Sequence, residues 1–196
     1  PKAANLGQLA SYFQAEVAPG LVIPFGVYHD HINRTLPGDR TPLTQQITEA
    51  YAAARDLRIT PPTMEQPQYN LFERDKVERD YLPVYGLTGI GTTIWSPLAS
   101  GILTGKYNKG IPKDSRLNLP GYEWLKAEWE KPEGKARLAK VEKLAALAGK
   151  SGMPIHHMAL LWCLSNLHVS TVILGASKES QLKDNLAALK NRGLLT

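Results

Sequence analysis

Two signatures alternate along most of the chain: short β-branched runs, and longer stretches in which apolar residues return at the helical period. Leu43, Ile47, Ala50, Tyr51, Ala54 and Leu57 mark one face of a helix that Thr41 can cap and Pro42 can begin. Pro61 and Pro62 cannot continue it, so it ends before them. Residues 63–66 then read as a short strand, residues 77–87 as a helix closing near Gly89, and residues 91–95 as a second strand. Residues 106–132 are polar and rich in Gly and Pro, which predicts a long surface loop. The next helix covers 133–150, with Leu138, Val141, Leu144, Ala145 and Ala148 on one side, and stops at Ser151-Gly152. Pro154 starts a largely apolar helix through Met158, Leu161, Trp162 and Leu164, expected to be buried on most of its surface.

The last strand and helix carry the first hint of chemistry. Val172, Ile173 and Leu174 form an apolar run without alternation, as in a parallel strand covered on both faces. Gly175 permits a tight turn, Ser177 stands where an N-cap belongs, and Leu182, Leu186 and Leu189 give the helix an apolar face. Free N–H groups and the positive end of the helix dipole would face the space beyond the strand, which suits an anion. The same residues also fit a plain cap and turn. A second β-rich run at 90–107 matches this arrangement, ending in Trp95-Ser96-Pro97-Leu98 and a small-residue turn, with Lys106 close behind.

The first forty residues are less regular. Residues 6–17 fit an amphipathic helix closed by Pro19-Gly20, and residues 21–28 an edge or irregular strand, given Pro24 and Gly26. His29 and His31 have the spacing of a metal-binding pair after a strand, but no other histidine sits at a strand end with a carboxylate. The pair reads as part of a polar loop, and no metal site is expected. Strand and helix alternation elsewhere implies a parallel sheet with ligands at the C-terminal ends of its strands.

A chain of 196 residues supports one sizeable core. Its single cysteine, Cys163, lies in an apolar run, which predicts a core thiol and a reducing, cytoplasmic setting. No apolar segment is long enough for membrane insertion, and the chain starts at Pro1 rather than Met, as a fragment or processed product would. The net charge of +5 is uneven: residues 1–75 hold six basic against eight acidic side chains, and residues 76–196 seventeen against ten. This suits a solvated basic surface or a phosphate-bearing small ligand. No basic run interleaved with aromatics is present, so nucleic acid is not expected.

The runs Glu65-Gln66-Pro67-Gln68-Tyr69-Asn70, Trp95-Ser96-Pro97-Leu98-Ala99-Ser100-Gly101, Gly105-Lys106-Tyr107, Ser115-Arg116 and Gly175-Ala176-Ser177, with Gln181 and Asn185, keep their order and spacing. Together they resemble the C-terminal half of an aldo-keto reductase, nearest the branch of voltage-gated potassium channel β-subunits and their fungal and bacterial relatives. The resemblance runs from about Gln45 to the end. It implies an α/β fold, a partial (β/α)8 TIM barrel of about four βα units, with residues 1–40 a divergent segment and 41–196 the barrel part.

The implied cofactor is NADP(H). Gln66 would hydrogen-bond the nicotinamide carboxamide and Trp95 would stack on its ring. Ser96, Leu98 and Ser100 would line the pyrophosphate, with Lys106 and Arg116 supplying positive charge. Gly175, Ser177 and Gln181 would surround the 2′-phosphate, with Asp184 and Asn185 near the adenine.

The family's tetrad of Asp, Tyr, Lys and His comes from its first four strands, which have no counterpart here. Lys2 is the only lysine before Asp75, so Tyr28 has no partner and no catalytic residue is assigned. The strand-five Ser and Asn that help hold the carboxamide have no match in residues 21–33 either. Two functions remain open: an NADP(H)-dependent oxidoreductase acting on a small carbonyl substrate, and a non-catalytic cofactor-binding regulatory subunit. A truncated inactive product is a third. Open strand edges in a half barrel favour self-association.

Overall fold

A computed structural model of the protein describes residues 43–194. The elements are α1 (Leu43–Leu57), β1 (Met64–Glu65), a π-helical turn (Lys76–Asp80), α2 (Leu82–Thr88), β2 (Gly91–Ile94) and a 3-10 segment (Ala99–Thr104). A second 3-10 turn (Arg116–Asn118), α3 (Glu123–Glu130), α4 (Pro132–Lys150), α5 (Ile155–Ser165), β3 (Val169–Val172), α6 (Glu179–Ala187) and a closing 3-10 segment (Ala188–Leu194) follow. The helix expected at 6–17, the strand at 21–28, the His29/His31 pair and the capping residues Thr41 and Pro42 lie outside the described residues.

The three strands form one parallel sheet in the order β1-β2-β3. Met64 pairs with Gly91 and Glu65 with Thr92, while Thr92 pairs with Val169 and Ile94 with Val172 across a register shift between Thr92 and Thr93. Parallel neighbours cannot be joined by a tight turn, so each crossover carries helices: α2 between β1 and β2, and α3, α4 and α5 between β2 and β3. The protein is α/β, with the strand and helix succession of a partial (β/α)8 barrel. Among the described residues, β1 and β3 are the sheet edges.

The largest core cluster joins α4, α5 and the first 3-10 segment through Ile102, Leu103, Val141, Ala148, Ile155, Ala159, Leu160 and Leu161. As expected, α5 buries most of its surface, and Val141 and Ala148 are the inner residues of α4. Leu164 is the exception, 38% exposed at the end of α5. Tyr69, Val77, Ile94, Cys163 and Val169 form a second cluster between sheet and α5, and Tyr81, Val84, Tyr85 and Ile90 pack with Ile47 and Tyr51 of α1. No helix among the described residues is long and apolar enough to cross a membrane.

Several local expectations need correction. Residues 106–132 are not loop throughout: α3 forms there because Leu125 buries beside Tyr107 and Leu117, although Pro120, Gly121 and Pro132 flank it. The helix expected at 77–87 is two pieces, a π-helical turn and α2, meeting at Tyr81. β3 begins earlier than the apolar run suggested, at Val169, and only the Ile173 N–H continues its ladder, donating to Ile94 O at 2.9 Å. Thr171 and Ile173 share one face of the strand and stay exposed, while Val172 and Leu174 on the other pack on the main core, so among the described residues only one face is covered. The helix expected to carry Leu182, Leu186 and Leu189 ends at Ala187, with Leu189 in the closing 3-10 segment; the three leucines are 42, 52 and 55% exposed, while Asn185 is the residue α6 buries.

Candidate functional site

Each cluster of candidate residues follows the C-terminal end of a strand, and the strands are parallel and adjacent. The clusters therefore share one end of the sheet. Gln66 follows β1 directly and is exposed. Trp95 follows β2, pairs with Gln68 in an isolated parallel bridge, and leaves its indole 44% exposed.

Beyond Trp95 the backbone turns through an unusual run of left-handed residues: Ser96 at φ 56°, Ala99 at 47°, Ser100 at 57° and Gly101 at 93°. Non-glycine residues in this region carry about 1–2 kcal/mol of strain each, so the turn must be held by its surroundings. Asn70 does much of that. Fully buried, its Nδ2 donates to Ser96 O at 3.0 Å, while its Oδ1 accepts from the N–H groups of Phe72 at 2.9 Å and Glu73 at 3.0 Å. Ser100 N–H donates to Ser96 Oγ at 3.3 Å, and Leu98 packs on the main core. Asn70 lies within a motif quoted above, yet its role was not legible, because its partner is 26 residues away.

The loop that follows carries two cations. Lys106 Nζ lies 4.9 Å from the ring centre of Tyr107, and the Arg116 guanidinium 5.7 Å from that of Tyr122. Among the described residues neither forms a close ion pair with a carboxylate, although the charge of Lys106 helps lower the Asp114 carboxyl. Tyr107 OH and Ser115 Oγ, adjacent in sequence to these cations, are buried without a hydrogen-bond partner among the described residues.

At the β3 end, Gly175, Ser177 and Lys178 are exposed, and a methyl group added at Gly175 would meet nothing within 4 Å. Ser177 is not the N-cap; Lys178 holds that position, and its side chain makes no capping bond. Gln181 instead reaches back, its Oε1 accepting from Ser177 N–H at 2.9 Å and from Ser177 Oγ at 3.1 Å. Asp184 faces α5, its Oδ2 lying 2.8 Å from His156 Nε2, and Asn185 is buried. Lys178 Nζ meets Asp114 Oδ2 at 3.1 Å, which joins the turn before α6 to the loop of Lys106 and Arg116. That hydrogen bond holds the Asp114 carboxyl below the usual carboxylate range. Cys163, by contrast, is a core thiol, fully buried and pushed up to about 12 by burial.

The elements thus bring Trp95, Ser96, Leu98 and Ser100 into one turn, Gly175, Ser177 and Gln181 into another, and link the second to the cation-bearing loop. A shallow surface depression of about 420 Å³, lined by Leu117, Leu119, Lys126 and Glu130 among others, contains none of these residues.

Comparison with known proteins gives two concordant findings. Residues 43–194 match the sequence model described as the aldo/keto reductase family. Over 153 residues, 78% of this chain, the sequence is 49% identical to a probable voltage-gated potassium channel subunit beta of Arabidopsis thaliana. It is 48% identical over the same length to a probable voltage-gated potassium channel subunit beta of Oryza sativa subsp. japonica. In each case the match covers 46% of the relative, so the chain spans about half the length of these curated proteins.

Proposed function

This chain belongs to the aldo/keto reductase family, and we propose that residues 43–194 are the NADP(H)-holding part of a carbonyl oxidoreductase whose catalytic tetrad lies outside this chain. One observation carries the reading: the Lys178–Asp114 ion pair ties the turn that opens α6 to the loop of Lys106 and Arg116, on the sheet end where Trp95 is exposed. The residues suit a dinucleotide phosphate. Open space at Gly175, a helix start, two cations without a close carboxylate ion pair and unpartnered buried hydroxyls in their loop all favour a ligand rich in phosphate oxygens.

When bound, the cofactor would supply the hydride for carbonyl reduction. The chain's own part is to hold it. Trp95 would cover the nicotinamide, with Gln66 on its carboxamide. The left-handed turn at Ser96, Leu98 and Ser100 would receive the pyrophosphate, with Lys106 and Arg116 as counter-charges. Gly175, Ser177 and Gln181 would take the 2′-phosphate, the Ser177 hydroxyl turning from Gln181 to do so, and Asp184 and Asn185 would lie toward the adenine. The setting proposed is cytoplasmic, in keeping with one buried free thiol.

A second reading is a non-catalytic, cofactor-binding regulatory subunit; the names of the two plant relatives, each a probable voltage-gated potassium channel subunit beta, favour its channel part. Both readings expect binding, and they part at turnover. Titration of the purified chain with NADPH, followed by energy transfer from Trp to nicotinamide, is expected to saturate, to prefer NADPH over NADH and to weaken in Ser177→Ala. A folded sample with no saturable transfer would overturn both. If binding holds, the chain alone is expected not to reduce a simple aldehyde; reduction at a sustained rate would place a working proton donor in this chain.

A further inference from the structure

Where α5 meets α6, three metal-ligating side chains come together, one of them the Asp184 that the proposed adenine end shares. His156 and His157 stand in the first turn of α5, and Asp184 lies in α6. Their ligand atoms all fall within 4.8 Å of one another. His156 Nε2 is 2.8 Å from Asp184 Oδ2, and His157 Nε2 is 3.3 Å from Oδ1 and 2.8 Å from the Asp184 carbonyl oxygen. Both imidazoles therefore aim the same ring nitrogen at one carboxylate.

We propose that His156, His157 and Asp184 bind one divalent transition-metal ion of the zinc class, pinning α6 to α5. Bonds of about 2.0–2.1 Å at tetrahedral angles separate neighbouring ligand atoms by about 3.3 Å. The observed pairs at 2.8 and 3.3 Å lie close to that spacing. The two contacts reach different oxygens of the carboxylate, and closing the remaining separation, within 4.8 Å, takes rotation of the imidazoles as well as of Asp184, whose side chain is 58% exposed. The second nitrogen of His157 is already engaged: Nδ1 lies 2.9 Å from Asn191 Nδ2. An amide presents a donor or an acceptor by turning over, so Asn191 can instead accept from Nδ1–H and leave the Nε2 lone pair for the ion. Metal-bound imidazoles ordinarily donate their other N–H to such a partner. For a neutral His157 the proton leaves Nε2 and Nδ1 takes one up, so the ring carries one proton before and after, and the Asp184 carbonyl gives up its Nε2–H donor to the ion's approach.

The test uses the full chain, stripped with chelator and titrated with Co(II), reading visible d–d absorption and the thermal midpoint. One equivalent is expected to give a saturable band and a higher midpoint, with Zn(II) displacing the band. His156→Ala and Asp184→Asn, both at partly or well exposed side chains, are expected to abolish the band, and Asn191→Leu to weaken binding about 10–100-fold. A His29→Ala/His31→Ala double variant is expected to keep it. The proposal is overturned by a folded protein without the band, by a band that survives in His156→Ala and Asp184→Asn, or by one lost only with His29 and His31.

Discussion

At the scale of single residues, Asn70 shows how a polar side chain can hold a strained turn that it does not belong to. Its buried amide satisfies two N–H groups of its own loop and the carbonyl of Ser96 across the sheet end. Removing it leaves buried partners unpaired, at about 1–3 kcal/mol each. Asn70→Ala is therefore expected to lower stability by about 2–4 kcal/mol in urea unfolding and to weaken NADPH binding with it. A loss under about 0.5 kcal/mol would show that the turn stands without this anchor. Neighbouring Tyr69 is engaged in a similar way: its hydroxyl donates to Glu78 at 2.7 Å and accepts from Asn166 at 3.2 Å. Glu78 in turn takes a forked contact from Arg74, which holds its carboxyl below the usual range.

At the scale of elements, α3 and α4 meet at a glycine. A Cβ on Gly134 would lie 2.5 Å from Glu128 O and 2.5 Å from Trp129 Cα, backbone atoms that cannot swing aside. Gly134→Ala should cost about 1–3 kcal/mol through overpacking. Gly149, on the same helix with nothing within 4 Å of its missing Cβ, serves as the control. There alanine should stabilise by about 0.5–1 kcal/mol through helix propensity alone. Equal effects of the two substitutions on the thermal midpoint would refute the close approach. Sequence reading placed α4 within one residue but missed α3. Its eight residues, Glu123–Glu130, lie among prolines and glycines, and what makes them helical is burial of Leu125 against a distant cluster.

At the scale of the whole molecule, the described residues leave unused surface of two kinds. β1 and β3 are sheet edges, and α6 with the 3-10 segment after it turns Leu182, Leu186 and Leu189 outward. Edges of this sort and an uncovered leucine stripe favour association. Sedimentation velocity is expected to show mass rising with concentration, and Leu186→Lys, at a side chain 52% exposed, to shift the distribution toward monomer without lowering the thermal midpoint. A single sharp monomer boundary across the micromolar range would count against it.

The sequence by itself determined the order and type of most elements from α1 to α6, because a helical or strand period is a local property that a short window displays. It also carried the family motifs, whose spacing along the chain needs no fold to be read. Tertiary structure alone decided which of these residues meet. Lys178 finds Asp114 and Asp184 finds His156 and His157 only because parallel strands and their crossovers fold remote turns onto one end and one helix pair. The same holds for the outward leucines of α6. Periodicity gathers apolar residues on a face, but whether that face is covered depends on what packs against it, and a window of sequence does not contain its partner.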